Sequence, residues 1–186
     1  MDGPSRRAFL IWLGACWPGI VAAHEHARLA LASQNNGNAP VLRALSADQA
    51  VEIEAIAAQI LPTTDTPGAR EAGVIYFIDH ALATFDRSRR RDYQRGLADL
   101  RTRVAKKFPP SRKFSELDSM RQVEVLREIE NTPFFGTVHL HTVVGFLADP
   151  HYGGNRNQVG WKLIGFDNAP THQPPFGYYD RDSQNQ

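Results

Sequence analysis

Between Ser46 and Leu147 apolar residues recur at helical spacing in about five stretches, separated by proline, glycine and polar turns. Ser46 with Gln49 three residues later is a capping-box signature, and Ile53, Ile56, Ala57 and Ile60 follow at helical spacing. A first helix is therefore predicted to run to about Leu61, where Pro62 stops it. A second is predicted from about Arg70, with Val74, Phe77, Ile78, Ala81, Leu82 and Phe85 on one face. A third, from about Arg87 to Lys107, aligns Tyr93, Leu97, Leu100, Val104 and Phe108 and closes at Pro109-Pro110. A fourth spans about Asp118 to Glu130, with Val123, Leu126 and Ile129 inward. Pro133 opens a fifth, flanked by Phe134, Phe135, Val138, Thr142, Val143 and Phe146. Beyond Leu147 the period is lost. Asp149 to Asn155 is loop chemistry, and Gly160 to Phe166 is a short apolar segment without helical repeat. With no internal repeat and no convincing strand pair, the pattern specifies an all-α chain. It is a small bundle of about five helices followed by a long loop punctuated by glycine and proline.

The amino-terminal residues follow a different logic. Ser5-Arg6-Arg7-Ala8-Phe9-Leu10 has the form of a twin-arginine export signal. The apolar run from Phe9 to Ala23 is too short to span a bilayer, and Val21-Ala22-Ala23 presents small residues for a signal peptidase. Cleavage after Ala23 is expected. Leu13-Gly14-Ala15-Cys16 is a second option, a lipoprotein box in which Cys16 becomes the acylated amino terminus. Residues 24–40 turn from Ala-rich to Gln/Asn/Gly-rich and read as a flexible leader. The helical domain is placed at 41–166 and an irregular tail at 167–186. The twin-arginine route carries proteins that are already folded, so the expected destination is the periplasm or the periplasmic face of the membrane. A chain using that route carries a cofactor or travels with a partner that does.

Composition removes several classes of chemistry. The 21 Lys+Arg and 20 Asp+Glu nearly balance, and nothing in that balance calls for nucleic acid. Cys16, inside the expected signal, is the only cysteine, so the mature chain has no thiolate nucleophile, disulfide, iron–sulfur ligand or haem-attachment motif. No Gly-x-Gly-x-x-Gly fingerprint and no nucleophile elbow occurs. His139 and His141 point about 200° apart on a helix and cannot share a metal, which leaves one to be buried and the other exposed. Catalytic, cofactor-binding and metal-ligating residues are therefore expected to be absent from this chain. Charge is nevertheless concentrated: residues 87–113 hold Arg87, Arg89, Arg90, Arg91, Arg95, Arg101, Arg103, Lys106, Lys107, Arg112 and Lys113 against Asp92 and Asp99. Such a stretch is either a solvated helix face or a docking surface for an acidic partner or an anionic membrane.

Three segments carry a family resemblance. They are Ile60-Leu61-Pro62-Thr63-Thr64-Asp65-Thr66-Pro67-Gly68-Ala69, the Phe134-Phe135 helix, and Asp149-Pro150-His151-Tyr152-Gly153-Gly154-Asn155 followed by Gly160-Trp161. In these the chain, over about residues 41–166, resembles the gluconate 2-dehydrogenase subunit 3 family. The resemblance implies a small, non-catalytic subunit of a flavin-dependent dehydrogenase of sugars or sugar acids. Its catalytic partner is then a flavoprotein of the glucose–methanol–choline type holding FAD, often with a multihaem cytochrome c as third subunit. The small subunit carries the signal for the twin-arginine translocase, and the folded flavoprotein is exported with it. A transient export chaperone or periplasmic binding module that releases its client is the alternative. The resemblance also makes Asp65, Tyr152, Gly153, Gly154, Asn155 and Trp161 candidates for the partner interface. Each has a structural alternative: a helix cap for Asp65, a tight turn for Tyr152 to Asn155, and a core plug for Trp161.

Overall fold

The structure, a computed structural model, describes residues 41–169. The expected signal peptide with Ser5, Arg6, Arg7, Phe9, Leu10, Cys16 and Ala23, the leader, and residues 170–186 lie outside the described residues. Six α-helices and no strand occur among those described: α1 Ala47–Ile60, α2 Val74–Ala83, α3 Arg90–Lys107, α4 Ser119–Ile129, α5 Pro133–Leu147 and α6 Val159–Ile164.

Local chemistry sets most boundaries. Ser46 accepts the Gln49 amide while the Gln49 side chain accepts from the Ser46 amide, completing the capping box of α1. Asp118 caps α4 through the Arg121 amide, and Thr132 caps α5 ahead of Pro133. α2 departs from expectation, starting at Val74 rather than Arg70. Its first turn is displaced by the bend Ala69–Gly73, where Gly73 takes a left-handed conformation and no side chain caps the helix. The apolar segment at Gly160 also differs, because residues 159–164 form the helix α6. Left-handed Gln158 and Gly165 bound it too closely for a helical repeat to develop in the sequence.

The core is built around α5, which packs on α2, α1 and α3. Ile53, Ile56, Ile78, Leu82, Leu100, Val104, Phe114, Val125, Ile129 and Val138 are fully buried, each stabilising the fold by about 1.5–3 kcal/mol on transfer from water. On α4 Leu126 and Ile129 point inward as expected, but the first inward position differs. Val123 lies on the surface and Gln122 is buried instead. The Gln122 amide satisfies itself there, donating to the Phe114 carbonyl at 3.1 Å and accepting from Gln59 at 2.6 Å. Phe85 likewise falls beyond the end of α2 and is 63% exposed. Asp79, buried on α2, anchors the segment ahead of α1 by accepting the backbone amides of Arg43, Ala44 and Leu45 at 2.8–2.9 Å.

Candidate partner-docking face

α5 contains no Asp, Glu, Lys or Arg in 15 residues. Its inward side supplies Phe134, Val138, Thr142 and Phe146 to the core. Its outward side is largely apolar too: Leu140 is 58%, Val144 42% and Leu147 37% exposed, three positions on one stripe with exposed Gly136 behind them and His139 at the edge. A helix that is hydrophobic all round belongs in an interior, yet one side of this helix faces outward. Next to it the α2–α3 corner and the loop after α5 bring Phe85 and Tyr152 together, with ring centroids 6.4 Å apart and His80 edge-on to Tyr152 at 5.9 Å. An open pocket of about 350 Å³ lies between them, lined by Phe77, Phe85, Val144, Ala148, Asp149 and Tyr152. Asp149 is its one charged residue, and that carboxylate already accepts the His151 amide at 2.8 Å. α6 and the residue beyond Gly165 add exposed Leu163, Ile164 and Phe166.

The structure divides the residues that the sequence grouped together. Tyr152 is exposed at the pocket and is available to a partner. Gly153 takes φ 100°, the left-handed geometry of a turn, and seats Tyr152 against α2. Gly154 and Gly160 press onto α5, where an added Cβ would overlap the carbonyl oxygens of Gly145 and Phe146 respectively. Asn155 is fully buried, which rules out the presentation to a partner expected of it. Its amide nitrogen donates to the Ala148 carbonyl at 2.9 Å and its oxygen accepts the Gly160 amide at 2.8 Å, so it ties the loop to the end of α5. Trp161 takes the core position: it is 7% exposed, and its indole N–H donates to the Leu147 carbonyl at 2.7 Å. Asp65 is exposed and remote from any helix start, accepting only the Thr64 hydroxyl at 2.9 Å, so it is no cap. In its loop Glu71 does the bracing, accepting the Gly68 amide and the Thr63 hydroxyl.

Behind the apolar face lies a buried polar chain that the sequence did not suggest, since its members are 48 and 55 residues apart. His141 Nε2 is 2.9 Å from the Asp86 carboxylate and His141 Nδ1 is 2.9 Å from the Tyr93 hydroxyl. A carboxylate only accepts, so Nε2 carries the proton, and neutral His141 accepts the Tyr93 O–H at Nδ1. Burial lowers the His141 pKa against the opposing pull of Asp86. Burial, reinforced by Asp86, pushes the Tyr93 phenol well above its usual range. Tyr93 is 1% exposed and packed edge-on to Phe134, and this polar chain pins α3 and the α2–α3 corner to α5. His139, by contrast, is exposed. Among the described residues no group of three or more His, Cys, Asp or Glu is placed to hold a metal ion, and no helix is long and apolar enough to cross a membrane.

These features define a small all-helical domain with one uncharged helix face open to solvent. The chain belongs to the gluconate 2-dehydrogenase subunit 3 family, whose model matches residues 47–167. That description is of a gluconate 2-dehydrogenase subunit, a component of an oxidoreductase complex. Neither a curated protein nor a solved structure matches the chain.

Proposed function

We propose that this protein is a non-catalytic small subunit of a flavin-dependent dehydrogenase of sugars or sugar acids. It docks on the catalytic flavoprotein through the outward face of α5 and the Phe85–Tyr152 cluster. The observation that carries this reading is a helix with no ionic residue left half uncovered. Such a face costs free energy in water and is stabilised when another apolar surface excludes that water. The aromatic residues beside it are of the type that anchors protein interfaces. FAD belongs, in this reading, to the partner, of the glucose–methanol–choline type, with a multihaem cytochrome c as a further subunit where the electrons leave the complex. The Arg6-Arg7 signal exports the assembled, folded pair to the periplasm, and the small subunit stabilises the flavoprotein there.

Co-expression with a flavoprotein of the glucose–methanol–choline type, sought in the adjacent reading frame, tests the reading. The expected result is a stoichiometric complex in the periplasm whose export stops when Arg6 and Arg7 are replaced by lysine. Release of the flavoprotein after export would identify a chaperone instead. Failure of the two chains to co-purify at all, or turnover of substrate by the isolated chain, overturns the proposal.

A further inference from the structure

The basic stretch is unused by the docking reading, and its geometry is distinctive. α3 buries Tyr93, Leu100 and Val104, and turns Arg91, Arg95, Arg101 and Lys106 to solvent. At about 100° per residue these four occupy an arc of about 140°, and at about 1.5 Å per residue they extend over about 22 Å. The neighbouring acids are already engaged. Asp99 accepts from Arg103 at 2.7 Å, Asp92 lies 3.6 Å from Arg89, and Glu124 and Glu128 pair with Lys107. Among the described residues no carboxylate is within ion-pair distance of the four outward cations. Between them stand Gln94, Ala98, Thr102 and Ala105, uncharged and exposed, with no aromatic or large apolar side chain to anchor a shaped partner.

We propose that the outward stripe of α3 attaches the protein peripherally to an anionic phospholipid surface. A flat row of cations without an apolar knob suits a surface recognised by charge density rather than shape. A protein interface needs a desolvated apolar centre, which this molecule displays on α5 and not on α3. Insertion is excluded by the fold, because the apolar side of α3 is already committed to the core. The attachment is electrostatic and lies at the headgroups.

Co-sedimentation of the full chain with vesicles of phosphatidylglycerol mixed into phosphatidylcholine, or of phosphatidylcholine alone, tests this. Each cation removed should weaken binding to the anionic vesicles about fivefold, so that R91Q/R95Q/R101Q/K106Q binds at least about 100-fold less than wild type. Raised salt should erase that difference, and neutral vesicles should not distinguish the two chains. The arginine-to-lysine variant R91K/R95K/R101K should retain binding, since a lipid surface reads charge whereas a carboxylate partner reads the guanidinium fork. An unchanged melting temperature shows that the variants are folded. The proposal is overturned if the glutamine variant binds anionic vesicles as wild type does. It is equally overturned if that variant loses only affinity for the flavoprotein, which would make the stripe a protein contact.

Discussion

Helices α3 and α5 pack against one another and are of similar length, 18 and 15 residues, yet they meet the outside in opposite ways. Facing the core they are alike: aromatic and branched side chains interlock, and the Tyr93–His141 hydrogen bond joins them. On their outer sides α3 carries arginine and lysine over short residues, whereas α5 carries Leu140, Val144 and Leu147. Folding explains both inner faces. It explains the outer face of α3 as well, since water solvates cations. It does not explain the outer face of α5, which gains nothing from water, and that asymmetry argues for a second molecule on the α5 side.

The sharpest way to break the contrast is to make α5 resemble α3. Leu140→Asp with Val144→Asp should reduce affinity for the flavoprotein about a thousandfold, because two carboxylates are then desolvated without partners. The isolated domain should keep its helical circular dichroism, both positions being exposed. Unaltered affinity in a titration calorimeter would place the interface elsewhere. Next in size is the clasp at the carboxyl end of α5. Gly154→Ala or Gly160→Ala should destabilise the domain by about 3 kcal/mol in urea titration, since backbone carbonyls occupy the space a methyl group needs.

His141 tests the seam between the two helices. His141→Leu should cost about 2 kcal/mol by leaving the Tyr93 hydroxyl and Asp86 without their partner. The native histidine is held neutral, with its pKa below the ordinary 6.5, so the unfolded chain binds the extra proton first. Its contribution is present in full above 6.5 and is lost as pH falls from there toward the native value. Thermal melts from neutral to mildly acid pH should show that decline in wild type and a smaller one in His141→Leu. The smallest effect is expected from Trp161→Phe, about 1 kcal/mol by chemical denaturation, which removes the indole donor to Leu147 and keeps most of the packing.

Much of the bundle was legible because its signals are local. Ser46 with Gln49, Pro133, and the Tyr93–Leu100–Val104 stripe each act within one or two helical turns. Misplacements arose where a distant group decides the matter. Gln122 is drawn inward by Phe114 and Gln59, and Asn155 is consumed by Ala148 and Gly160. The candidate docking face is only partly visible in the sequence. Tyr152 stands in a motif, but the helical spacing places Phe85 on the apolar face of α2, and the outward residues of α5 are hidden in a sequence apolar on nearly every side. Periodicity carries no contrast there, so the bare side of α5 emerges only once its neighbours are in place.

The carboxylate of Asp79 fixes a practical boundary at the start of the domain. A fusion or linker joined ahead of Leu42 leaves all three of its amide donors whole. One joined at Leu45 leaves two of those amides to the linker, so a proline there, or a linker path that turns them away, strands a carboxylate inside the protein. A seam at or before Leu42 therefore keeps the native path that aims all three amides at Asp79.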